Sequence, residues 1–127
     1  MRVLVCGSRN FNDKKLMSDI LYKEFDVDDT VTLIHGDAIG ADRLSEEVLK
    51  GYFKGGFVVE RYPADWEKYG KEAGPIRNKQ MLDEGKPDMV IAFRLQNSRG
   101  TQNMIDQATK AGISVKIVNV DPSQNSV

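Results

Sequence analysis

An α/β domain built on one open parallel sheet of about five strands, flanked by helices, is the fold this sequence predicts. Three observations carry that prediction. Short β-rich apolar runs alternate with segments of helical periodicity along the whole chain. Alternation of this kind requires parallel pairing through crossover helices. The strand ends run into polar loops, several of them rich in glycine. The length of 127 residues suits a single unit, taken as residues 1–120 with a polar tail over 121–127.

Met1 to Cys6 is a continuous apolar run ending in Gly7-Ser8-Arg9-Asn10. Strands buried on both faces have this composition. Asn12 or Asp13 is placed to cap a helix whose apolar positions, Leu16, Met17, Ile20, Leu21 and Phe25, recur at helical spacing. An acidic turn, Asp26 to Asp29, precedes a second strand, Val31 to His35. Ala41 to Tyr52 is a second helix with Leu44, Val48 and Leu49 on one stripe, and Gly55-Gly56 breaks the chain behind it. Phe57 to Tyr62 is the third strand. Pro63 to Gly74 is polar and lacks a clear period, which predicts a loop with room for one helical turn.

Pro75 fits the first turn of a third helix, where its missing N–H costs nothing. That helix runs to about Glu84 and stops at Gly85. Asp88 to Phe93 is the fourth strand and Arg94 to Gly100 a loop. Thr101 to Ala111 is a fourth helix, with Met104, Ile105 and Ala108 inward and Gly112 as its stop. Ile113 to Val120 is the fifth strand, and the tail from Asp121 is expected to fray. The order is that of a doubly wound, Rossmann-like sheet.

Composition narrows the function classes. Lys and Arg total 18 against 19 Asp and Glu, a net charge of -1. Counterion-driven binding to a nucleic acid needs a basic face, so a nucleic-acid partner is not expected. Cys6 is the only cysteine and lies in an apolar run, where it reads as a small buried hydrophobe. The lack of cysteine pairs suits a reducing compartment. No apolar run approaches the roughly 20 residues of a membrane span. The chain enters a strand at once, with no signal-peptide apolar region. No membrane association and a cytoplasmic location are therefore expected.

In sheets of this type ligands bind beyond the carboxyl ends of the strands, near the switch in strand order. Three strand-to-helix loops stand out there: Gly7 to Asn10, His35 to Asp42, and Asn97 to Thr101. The polar segment Ala64 to Asn78 follows the third strand on the same edge. Glycine lets backbone N–H groups approach an anion, and a helix N-terminus behind the loop adds partial positive charge. Ser8 and Thr101 can donate to phosphate oxygens, and Arg9, Arg77 and Arg99 can pair with them bidentately. Taken singly, each feature has a plainer reading. A Gly-rich loop is often only a tight turn, Arg9 a solvated charge, and His35 a hydrogen-bonded structural residue. Trp66 reads equally as core or as a ring that stacks on a ligand. Asp37 and Asp42 read as helix caps. The convergence of the loops is what argues for an anion site.

Several chemistries have no support. GxGxxG does not follow the first strand, and no phosphate-binding P-loop is present. One cysteine and one histidine at no recognisable spacing give no zinc site. No metal and no cofactor are expected, and Ser8 lacks a nucleophile elbow.

The segments Gly7-Ser8-Arg9, His35-Gly36-Asp37-Ala38-Ile39-Gly40-Ala41-Asp42, Tyr62-Pro63-Ala64-Asp65-Trp66, Gly70 to Asn78 and Gly100-Thr101 resemble the YspA-like branch of the SLOG superfamily. The likeness runs over roughly residues 1 to 118. It implies a Rossmann-like sheet with a pocket for a nucleotide or nucleotide-derived ligand, in a branch common in bacteria and their phages. Together with the loop chemistry above, it points to Gly7, Ser8, Arg9, His35, Gly36, Asp37, Ala38, Gly40, Asp42, Trp66, Arg77, Asn78, Arg99, Gly100 and Thr101 as ligand-binding residues. The superfamily's LOG enzymes cleave the base–ribose bond of nucleoside monophosphates with an Arg on a helix and a Glu in a Gly-Gly-x-Gly-Thr-x-x-Glu loop. Arg77 corresponds to that Arg, and Gly100-Thr101 match the loop. Gln102 and Asn103 stand where the carboxylate is expected, and Ser98-Arg99 replace the first glycine pair. An amide cannot stabilise an oxocarbenium ion or activate water. Catalysis would then fall to Asp65, Asp37 or Glu72. The expectation is a binding module for an ADP-ribose-like or cyclic species, with a nucleotide hydrolase as the alternative and an SMF-like DNA-binding role as the third. A homo-oligomer is expected, with segment 63–78 completing the pocket.

Overall fold

The computed structural model describes residues 1–26, 29–53, 57–95 and 98–121. The expected glycine break at residues 55 and 56, part of the acidic turn, two residues of the 94–100 loop (Asn97 among them), and the tail beyond Asp121 lie outside them. Five parallel strands, β1 (Arg2–Gly7), β2 (Thr32–His35), β3 (Val58–Arg61), β4 (Met89–Arg94) and β5 (Ser114–Asn119), form one sheet in the order β3-β2-β1-β4-β5. The helices are α1 (Lys14–Glu24), α2 (Ala41–Tyr52), α3 (Trp66–Tyr69), α4 (Ala73–Gly85) and α5 (Arg99–Lys110). The fold is the Rossmann-like α/β sheet the sequence predicts.

Alternation along β1 divides the core in two. Val3 and Val5 join Leu33, Ile91 and Phe93 in a cluster under α1 and α2, with Met17, Leu21, Val48 and Leu49. Leu4 and Cys6 face the other way, onto Met81, Leu82, Met104, Ile105 and Ala108 of α4 and α5. Truncating a fully buried member such as Leu4 to Ala is worth about 2–5 kcal/mol. The chain winds outward from β1 to β3, then returns to place β4 on the other side of β1. The switch point is the gap between β1 and β4.

Three local expectations need correction. Segment 63–74 is more ordered than a loop: Asp65 caps α3 by accepting from the Lys68 N–H at 3.1 Å, and a 3-10 turn over Gly70–Glu72 leads straight into α4. Helix α4 therefore begins at Ala73, not Pro75, and Arg77 lies in its second turn. At its far end α4 stops at Gly85 as expected, where a Cβ would crowd Ile34 at 3.2 Å, and the left-handed cap is Lys86 with φ 47°. Asp42 is not the cap of α2: Gly40 is, with φ 96°, and any side chain there would drive into the backbone of Ser8 and Arg9.

Candidate functional site

A cavity of about 900 Å³ opens above the switch point, in the size range of small-ligand clefts. Three loops and the start of α4 build it. Gly7, Ser8 and Arg9 come from the end of β1; Gly36, Asp37, Ala38 and Asp42 from the β2–α2 connection; Arg99, Gly100 and Thr101 from the first turn of α5; Trp66, Arg77 and Asn78 from α3 and α4. The remaining expected site residues stand back. His35 is fully buried beneath the loop, Gly40 is packed against Ser8, and Asp65 and Glu72 are exposed and outside the cavity wall.

The loops are stitched to one another. Ser8 Oγ accepts from the Leu95 N–H at 3.1 Å, and the Ala41 N–H donates to the Ser8 carbonyl at 3.4 Å. Arg77 Nη1 donates to the Gly36 carbonyl at 2.5 Å and to the Tyr62 carbonyl at 3.4 Å, while its Nε donates to Asn78 Oδ1 at 3.1 Å. Asn78, buried, donates through Nδ2 to the Gly100 carbonyl at 3.3 Å and to Asn103 Oδ1 at 3.1 Å. The Arg77-Asn78 pair thus ties the β2, β3 and β4 loops together. A Cβ at Gly36 would strike the Arg77 guanidinium, which explains the glycine.

Four arginines face the cavity, Arg9, Arg43, Arg77 and Arg99, against two carboxylates, Asp37 and Asp42. Arg43 pairs with Asp37 at 3.5 Å, and Arg77 is engaged by carbonyls. Arg9 and Arg99 are exposed, and no described residue pairs with either side chain. Arg99 opens α5, where Ser98 makes no capping bond and donates instead to Thr101 Oγ1 at 2.6 Å. Among the described residues no side chain accepts from the leading amides of this 12-residue helix, whose first turn lines the cavity. Apolar groups form the rim: Ile39, Pro63, Ala64 and Trp66, the indole 59% exposed and resting on Gly74.

The two carboxylates differ. Asp42 is 6% exposed and accepts from the Gly36 N–H at 3.0 Å and the Ala38 N–H at 3.4 Å. Burial raises its pKa, opposed by Arg77 and the two amides. Asp37 has φ 55°, and its N–H donates to His35 Nδ1 at 2.9 Å. The ring proton must then be on Nε2, which meets Glu46 Oε1 at 2.8 Å. Glu46 is held down to about 2, chiefly by its hydrogen bonds with Arg61. His35 is thus the structural prop of the Asp37 loop. Burial pushes the Cys6 thiol up, so it stays protonated at the cavity floor.

Counted from Gly100-Thr101, the LOG carboxylate position falls on Met104, fully buried in the core. Gln102 and Asn103, taken from the sequence as its replacement, are engaged structurally: Gln102 accepts from Arg94 Nη1 at 2.6 Å, and Asn103 from Asn78 and Gln107. Sequence reasoning missed Arg43 and Ile39 at the cavity wall. Their spacing around Asp42 carries no signal distinguishing them from an ordinary solvated helix start.

An open parallel sheet with a cationic cleft at its switch point defines a Rossmann-like ligand-pocket domain. The family model for the "YspA, cpYpsA-related SLOG family" matches residues 1–69, and the chain belongs to that family. It is also similar to the "Gene 61 protein" of Mycobacterium phage D29, at 39% identity over 117 residues, covering 90% of this chain and 93% of the relative. Among the described residues, no helix is long and apolar enough to cross a membrane.

Proposed function

We propose that the protein binds, and thereby senses or sequesters, a phosphate-bearing nucleotide-derived ligand such as an ADP-ribose-like or cyclic species. The observation that carries this reading is that two guanidinium groups without a partner among the described residues, Arg9 and Arg99, line the same cavity as the first turn of α5. An anion there meets backbone dipoles and two forks at once. Family membership points the same way. Trp66 offers an aromatic face for a base at the rim. Hydrolysis is the weaker reading, because Asp37 is paired with Arg43, Asp42 is engaged by two amides, and Asp65 and Glu72 do not line the cavity. An SMF-like DNA-binding role is disfavoured by the net charge of -1.

Native mass spectrometry of the purified protein, followed by calorimetry with AMP and ADP-ribose, tests the proposal. Arg9→Ala and Arg99→Ala are each expected to weaken binding by about 1.5–3 kcal/mol. Failure of every nucleotide to bind at millimolar concentration would sink the reading. Release of free base or phosphate by wild type, abolished in Asp37→Asn, would replace it with hydrolysis. The exposed apolar groups Trp66, Tyr69 and Ile76 on segment 63–78 support a homo-oligomer; a monomer by light scattering at high micromolar concentration would exclude it.

A further inference from the structure

Asp42 carries a feature that loop stapling leaves unused. Both of its side-chain hydrogen bonds end on Oδ2, one from Gly36 and one from Ala38. No buried side-chain oxygen or nitrogen among the described residues lacks a partner. Oδ1, which takes no bond from a described residue, is therefore not sealed by them; it opens on the cavity that Asp42 lines. A carboxylate oxygen in an otherwise buried residue, stripped of most of its water, is costly unless a donor reaches it.

The surroundings restrict that donor. A phosphate is repelled by Asp42 itself and by Asp37 in the same loop. A cationic group is disfavoured by Arg77, whose charge already acts on Asp42. A neutral donor remains. Arg9 and Arg99 supply the cavity wall with anion-seeking groups and Trp66 with an aromatic face, while Asp42 is buried, within the electrostatic reach of Cys6. In a nucleotide the part that joins phosphate to base is the sugar, and its neutral donors are hydroxyls.

We infer that Asp42 Oδ1 accepts a hydrogen bond from a ribose hydroxyl, so that the pocket selects ribose-bearing ligands over their deoxy counterparts. This rests on the nucleotide reading above and adds the sugar to it. Selectivity of this kind is large when a buried polar group is left unmatched by the wrong ligand.

Calorimetry on the full chain decides the matter with AMP, 2′-deoxy-AMP, 3′-deoxy-AMP, ribose 5-phosphate and inorganic phosphate as probes. Wild type should bind AMP about tenfold or more tightly than at least one deoxy analogue, and ribose 5-phosphate more tightly than phosphate. Asp42→Asn, whose amide oxygen can still accept from the loop, should narrow both gaps. If that variant fails to fold, the wild-type comparison stands by itself. Equal affinity for AMP and both deoxy analogues would overturn the inference while leaving nucleotide binding intact. Discrimination between ribose 5-phosphate and phosphate without binding of AMP would keep the ribose contact and reject the nucleotide. Binding of none of the probes would reject both.

Discussion

Arg77 shows how one side chain can be structural and functional together. The sequence marks it as an anion ligand at a helix start, yet its guanidinium spends its best bond on the Gly36 carbonyl. Arg77→Ala should therefore lower unfolding free energy by about 1.5–3 kcal/mol as well as weaken binding. Arg77→Lys should recover little of it, since an ammonium on a flexible stem cannot reproduce the fork. Urea denaturation with the slope held constant reads that loss directly. Glu46 gives a second prediction. Its folded pKa of about 2 lies below its ordinary value of 4.5. The stability it contributes is thus complete above about pH 4.5 and lost as pH falls toward about 2. Thermal unfolding of Glu46→Gln should show a shallower decline across that window than wild type; identical slopes would refute the assignment. Their place in polar loops after buried strands marked Ser8, Arg9, Arg99 and Thr101 in the sequence, and all four line the cavity. The roles of Asp42 and Asn78 were not legible, since each depends on backbone partners that only the tertiary fold brings near.

At the level of elements, period and punctuation carried far. Helix α2 has the limits its stripe predicts, and the strands agree within about a residue at each end. Segment 63–74 was harder because α3 spans four residues, too few for any period to show. The start of α4 shifted by two residues because the 3-10 turn feeds directly into it. The far end of the same helix carries a testable strain. Lys86 holds a left-handed conformation that glycine adopts more readily. Lys86→Gly should raise stability by up to about 1 kcal/mol, less the entropy the freer unfolded chain gains. A lower melting temperature in that variant would show that the lysine stem makes compensating contacts.

On the scale of the whole molecule, strand order is what the sequence could not supply. Alternation of strands and helices implies a parallel sheet, but the return of β4 to the side of β1 depends on which apolar faces meet across two separate cores. That return places the cavity, and with it the site. A ligand that binds only the folded chain should stabilise it by about 2.7 kcal/mol at a hundredfold excess over Kd, visible as a rise in melting temperature. The stitching of the loops has a consequence for the time course of binding. With the β1, β2, β3 and β4 connections already fastened by Ser8, Arg77 and Asn78, little remains to be ordered when a ligand arrives. Association should follow one exponential whose rate climbs linearly with ligand concentration in stopped-flow fluorescence of Trp66. Cutting the stitch with Asn78→Ala should introduce a slower, saturating phase as the loops are gathered anew at each encounter.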